Sequence, residues 1–226
     1  MKYIVFQIIL GLFLADIIAG AGHWFEDTYL HYCTSIPGLS QIAERNELHH
    51  YFPRAMLEGS YFINIKTPLI LSIILYIILY LLIPSAFKKY PVFFITFFIF
   101  LCLSNLFHRF SHQRECETHY IILQLQKMEI LCSHEHHRQH HISHSDEKYC
   151  TIFSINNYIL DNIYFWRILE IIISLFGIKP DQKPVYNHYK PIHNYMHEDA
   201  KNECPKRPTK KDINILLENL KNNVKC

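Results

Sequence analysis

The sequence predicts an all-α membrane protein with about three to four transmembrane helices and a histidine-rich cytosolic helical cap. Three observations predict it. Half of the 226 residues are hydrophobic and only 19% are charged, below the roughly one quarter usual in a soluble domain. The hydrophobic residues are gathered into runs nearly free of charge. The chain also holds 16 histidines, most of them grouped beside the ends of those runs.

The first run covers residues 4 to about 21 and contains Asp16. An acid at the centre of an inserted helix costs roughly 2.5–3.5 kcal/mol, so Asp16 is expected to face a bundle interior or serve a site. Met1-Lys2, the run itself and Ala19-Gly20-Ala21 also resemble a secretory signal peptide with its cleavage step; Asp16 argues against that reading. The second run, residues 69–83, lies between Pro68 and Pro84, and the third, residues 92–107, follows Pro91. Both are short for a lone span of roughly 17–25 residues, and Tyr61, Phe62, Phe87 and Tyr90 extend them. Two such runs in tandem read as a transmembrane hairpin; a buried helix pair is the alternative.

Residues 152–178 mix Asp161, Arg167 and Glu170 with Tyr158, Tyr164, Phe165 and Trp166. That suits a helix lying at the membrane interface or an amphipathic helix on a soluble cap. The membrane domain is expected over residues 1–180. Residues 181–226 form a basic, proline-containing tail, expected to be partly disordered. One short helix is expected near its end, starting by Asp212 and placing Ile213, Leu216, Leu217 and Leu220 on one face. A net charge of +2 offers no footprint for nucleic acid. Seven cysteines without a Cys-x-x-Cys pair argue against a thiolate zinc site and are expected to be reduced packing residues.

The histidines fall in four places: His23; His49-His50; His108 and His112; and the tract from His134 to His141, followed by His144. His108 and His112 are four apart, as are His136 and His140, and His137 and His141, so on a helix each pair shares a face. Neutral imidazoles suit iron, zinc, copper or nickel. A dense histidine tract alone is equally a loose metal-binding segment. Lone histidines such as His31, His119, His188, His193 and His197 read as packing or surface residues. If all three apolar runs cross the bilayer, the four histidine clusters face one compartment. The basic tail favours the cytosol for that side, and Lys88 and Lys89 in the opposite loop count against it. A many-histidine site at a bilayer face points to oxidation of lipid chains. Redox-silent zinc cannot supply the oxidant, whereas iron with dioxygen can. A non-enzymatic histidine-rich membrane metal binder and a hydroxylase stay open as alternatives.

Four ordered motifs over about residues 15 to 180 resemble the plasmanylethanolamine desaturase family, the lipid desaturases related to plant fatty acid desaturase 4 and a bacterial light-response protein. They are Ala15-Asp16 with His23-Trp24 and Asp27; Glu47 with His49-His50 and Pro53; Asn105 with His108 and His112; and His136-His137-Arg138-Gln139-His140-His141 followed by Tyr149-Cys150, Asn156 or Asn157, and Phe165-Trp166-Arg167 with Glu170. The resemblance implies a multi-pass desaturase of the endoplasmic reticulum acting on an ether phospholipid, with two iron ions, dioxygen as co-substrate and electrons from cytochrome b5. It implies metal ligands at His23, His49, His50, His108, His112, His137, His140 and His141, with His136 also matching, and leaves open whether His136 or His137 is the inner one. Asp27 is implied as a further site residue, and Asp16 and Asp27 are expected to orient the site. The chain departs from the family near Glu58-Gly59, where animal members carry another histidine, and at His144-Ser145. It also starts almost at the helix before His23, where relatives usually have another apolar segment. Plant relatives instead desaturate an acyl chain of phosphatidylglycerol, so the substrate stays open.

Overall fold

The computed structural model describes residues 2–30, 33, 34, 36, 38–142, 147–180 and 207–223. Among them the structure is helical, with one isolated antiparallel bridge between Leu131 and Phe153. Among the described residues three helices are long and apolar enough to cross a membrane: α1 (Lys2–Tyr29), α3 (Tyr61–Leu82) and α5 (Pro91–Ser111). Around them stand α2 (Ser40–Tyr51), α4 (Pro84–Lys89), α6 (Tyr120–Lys127), α7 (His134–Ile142), α8 (Ser154–Asn162), α9 (Phe165–Ser174) and α10 (Lys210–Asn223).

Each span is longer than its apolar run. The 28 residues of α1 make about 42 Å of helix at 1.5 Å per residue, more than the roughly 30 Å of hydrocarbon. The helix therefore continues for two turns beyond the run, and His23 and Asp27 lie on it rather than after it. The second span starts at Tyr61, where the flanking aromatics are expected to extend the run, and passes through Pro68. Proline holds a helical φ but lacks an N–H to donate, and its ring crowds the carbonyl four residues earlier, costs that membrane helices tolerate because neighbouring groups satisfy the freed carbonyl. Pro84 and Pro91 each sit in a first turn, where no N–H partner is needed. Outward-facing Ile70, Leu71, Ile74, Ile77, Ile78, Leu81 and Leu82 leave α3 clothed in exposed apolar side chains.

Spans α1 and α5 lie side by side and point the same way. Near one end Gln7 Oε1 accepts the Phe93 N–H at 3.2 Å. Midway a methyl group on Gly11 would come within 2.9 Å of the Phe93 carbonyl oxygen, so only glycine permits this approach. Ala15 then packs on Phe97 and Leu101, and at the far end the rings of His23 and His108 are 4.8 Å apart. This register delivers both histidine-bearing ends to one place.

The cap is fastened to the spans by buried polar groups. Arg109 of α5 donates to the carbonyls of Leu57, Glu58 and Gly59 and to Asn64 Oδ1 at 2.7–3.2 Å, which draws the segment after α2 onto α5. Asp16 accepts the N–H groups of Ile152 and Phe153 at 2.9 and 3.0 Å and Asn156 Nδ2 at 2.7 Å. Its charge thus meets the N-terminus of α8, which favours anions. Trp24, Tyr149, Cys150, Leu160 and Trp166 form the core between α1, α8 and α9. The mixed region is two helices rather than one, broken where Tyr164 takes a φ of +55°. Their outer faces expose Ile155, Ile159, Ile168, Ile171, Ile172 and Leu175.

The helix expected near the end of the chain is present as α10. Thr209 and Asp212 bond reciprocally at its start, and it packs on α2 with Ile213 and Leu220 buried. The expectation of disorder in the tail falls on residues 181–206, outside the described residues, as do His31, His144, His188, His193 and His197. Cys102, Cys132 and Cys150 are free, as the sequence suggests. Cys33 and Cys116 are disulfide-bonded instead, which their spacing along the chain does not reveal.

Candidate metal centre

Four helices contribute donors, and helical geometry sorts them. His23 and Asp27 are four apart on α1 and project to one side. His49 and His50 are adjacent on α2, so they point about 100° apart and serve different neighbours. On α7, His137 and His141 share a face while His140 faces the next stripe. The donor atoms converge in overlapping groups whose members lie within 4.8 Å of one another. One group is all histidine: His49, His112, His137 and His141. A second is mixed: His23, Asp27, His50 and His140. His108 joins His23 and His49 in a third and so stands between the other two. All these residues are buried.

The rings are set for metal rather than for one another. His23 Nδ1 donates to the Tyr149 carbonyl at 3.0 Å, His49 Nδ1 to the Asn46 carbonyl at 2.6 Å and His140 Nδ1 to the Glu147 carbonyl at 2.6 Å. A carbonyl can only accept, so the proton lies on Nδ1 and the lone pair on Nε2, the usual arrangement behind a ligating imidazole. Nε2 of His23 and of His49 is buried without a hydrogen-bond partner. His140 Nε2 lies 3.1 Å from Asp27 Oδ2, two acceptors facing each other, a contact that a shared cation resolves. Around His108, Nε2 atoms approach at 3.0 Å (His137) and 3.2 Å (His112), and His141 Nε2 is 3.2 Å from that of His137. An ion bound at about 2.0–2.1 Å from each nitrogen would hold donors at such spacings. The residues present therefore fit metal ions.

Electrostatics agree. Burial first, and the neighbouring imidazoles second, hold His49, His112, His137 and His141 well below the ordinary imidazole range. These rings are neutral ligands at physiological pH. Asp27 is the carboxylate among them: Oδ1 accepts Asn46 Nδ2 at 2.9 Å and lies 2.7 Å from His50 Nε2.

The structure gathers eight of the nine expected histidines, with Asp27. His136 stands apart, its Nε2 3.0 Å from Asn157 Nδ2 and its ring edge-on to Tyr158; of the two adjacent candidates it is His137 that faces the centre. Asp16 lies two turns of α1 before His23, about 10 Å along the axis, bonded to the segment before α8 rather than to an imidazole. Sequence reading missed Asn46 and the carbonyls of Asn46, Glu147 and Tyr149. Every residue has a carbonyl, so no residue type announces that role.

The profile of the lipid desaturase domain family matches residues 12–183. A "probable fatty acid desaturase" of Acanthamoeba polyphaga mimivirus is 32% identical over 178 residues, 78% of this chain and 86% of that protein. Plasmanylethanolamine desaturase 1 of Mus musculus is 29% identical, covering 78% of this chain and 68% of that protein. Chloroplastic fatty acid desaturase 4 of Arabidopsis thaliana is 26% identical over 75% of this chain, which spans only 52% of the plant protein. No solved structure matches the chain.

Proposed function

Because the chain belongs to the lipid desaturase domain family, an oxidoreductase and integral membrane family, we propose that it removes hydrogen from a phospholipid chain at a histidine-ligated di-iron site. The observation that carries this reading is the pair of donor groups side by side, joined through His108, at the aligned ends of two spans. A single zinc site would need neither the second group nor its carboxylate.

Bound iron would supply the oxidising chemistry with dioxygen. Removing one hydrogen from each of two adjacent carbons takes two electrons from the lipid. Reducing dioxygen to two waters takes four, so two more electrons and two protons must come from outside. The family resemblance makes cytochrome b5 the proposed donor. The protein's part is positional: carbonyls fix the Nδ1 protons of His23, His49 and His140, burial keeps the imidazoles neutral, and Asp27 adds negative charge on one side only. The proposed substrate is 1-alkyl-2-acyl-glycerophosphoethanolamine and the product its vinyl ether, supported by the mouse relative and by a plasmanylethanolamine desaturase of Myxococcus xanthus at 24% identity. A second reading, desaturation of an acyl chain, is supported by the names of the mimivirus and plant relatives. Expression in plasmalogen-deficient cells followed by lipid mass spectrometry separates them: a vinyl ether supports the first, a new acyl double bond the second. Neither product from membrane-inserted protein overturns both.

The proposed location is the endoplasmic reticulum with the histidine face cytosolic, supported by the basic residues of the tail. The disulfide-bonded Cys33 and Cys116 on that face favour the reverse orientation, because disulfides persist in oxidising compartments. A glycosylation acceptor introduced after α10 decides: modification places the histidine face in the lumen, and its absence, with modification of an acceptor beside Lys88, places it in the cytosol.

A further inference from the structure

The segment between α7 and α8 does more than connect them. Glu147 and Tyr149 supply the carbonyls that hold His140 Nδ1 (2.6 Å) and His23 Nδ1 (3.0 Å), both in the mixed donor group. The residue between them, Lys148, has a φ of +61°. That left-handed conformation is disfavoured for a side chain with a Cβ, and it persists because Asp161 grips it: both carboxylate oxygens accept the Lys148 N–H, at 3.3 and 3.4 Å. Asp161 is steadied in turn by Trp166 Nε1 at 3.1 Å. One turn earlier on the same face of α8, Asn157 accepts the Cys150 N–H and donates to the Cys150 carbonyl, both at 2.8 Å. Two successive turns of α8 thus grip alternate residues of the segment. Among the described residues the grip bonds α7 only at His136 and Gln139, through Asn157 and Lys148, and at no ring of the all-histidine group; His49, the one carbonyl-held ring of that group, is held by Asn46.

We propose that Asp161 is a positioning residue for the mixed group alone: by holding Lys148 left-handed it keeps the Glu147 and Tyr149 carbonyls on His140 and His23, and so keeps both Nε2 lone pairs aimed at one metal ion. This rests on the di-metal reading above. The test uses the full chain in phosphatidylcholine nanodiscs, titrated anaerobically with Fe(II), with bound metal counted and Mössbauer spectra recorded. Wild type is expected to bind two irons in two distinguishable environments. Asp161→Ala weakens one of them about 10–100-fold, the usual effect of losing an outer-shell partner, and removes one spectral component while the other keeps its parameters. Adding Lys148→Gly to that variant restores the lost component, since glycine takes a positive φ freely. Asp161→Asn keeps one acceptor and a similar shape, guards against a folding failure, and gives an intermediate affinity. Two irons of unchanged affinity in both Asp161 variants overturn the proposal, as does equal weakening of both environments that Lys148→Gly does not repair. A wild type that fails to bind two irons overturns the di-metal reading itself.

Discussion

The two donor groups are built from the same ring but are held differently. In the mixed group, His23 and His140 lean on backbone carbonyls of one short segment, and Asp27 supplies a carboxylate that Asn46 steadies. In the all-histidine group only His49 has such a brace; Nδ1 of His112, His137 and His141 has no hydrogen-bond partner. The mixed group is therefore shaped by the polypeptide before any ion arrives. The all-histidine group relies on packing between rings and on the ion itself.

The largest effect is expected at His137, which belongs to the all-histidine group and also touches His108 at 3.0 Å. His137→Ala should abolish lipid product and lower bound metal while leaving membrane insertion intact, checked by lipid mass spectrometry and metal analysis. Asp27→Asn keeps the shape and removes the charge. It should weaken one ion about 10–100-fold and leave the other bound, so a simultaneous loss of both would break the distinction between the groups.

Acidification sharpens the comparison. Free imidazoles titrate near pH 6.5, and the folded values of His49, His112, His137 and His141 lie well below that. As pH falls below about 6.5 the unfolded chain takes up protons that the folded chain does not. Stability present above that pH is then lost progressively below it. Metal-free protein should melt at lower temperature at pH 5.5 than at pH 7.5. In loaded protein bound metal should be lost as protons compete for the imidazoles, which metal analysis after dialysis at stepwise lower pH would read.

Gly20→Ala should have a smaller effect, about 1–3 kcal/mol. Its methyl group would meet Cys150 Sγ at 2.9 Å and push on the segment that braces His23, so the mixed group should loosen more than the other in an iron titration. His136→Ala should do least. It frees Asn157 from one contact, about 0.5–1.5 kcal/mol in thermal unfolding, and leaves the metal count unchanged.

The all-histidine group was the more legible in the amino-acid order. His137 with His141 repeats the four-residue spacing that places two rings on one helix face, and the matching pair His108 and His112 ends an apolar run. The mixed group left a fainter trace. His23 and His50 are far apart in sequence, and nothing in a list of residues says that Asp27 faces the rings whereas Asp16 anchors α8. His136 and His137 are equally plausible as letters; the rotation of α7 separates them.

The sequence by itself determined that three helices are apolar enough to cross a bilayer and that the histidines gather at one end. Hydrophobic runs set span number, and span number sets sidedness. Only the tertiary structure decided which acid joins the site, which rings pair with which, and that a left-handed Lys148 and the carbonyls beside it orient two of them. Carbonyls are common to every residue, and their direction is set by packing of distant segments rather than by the side chains that name them.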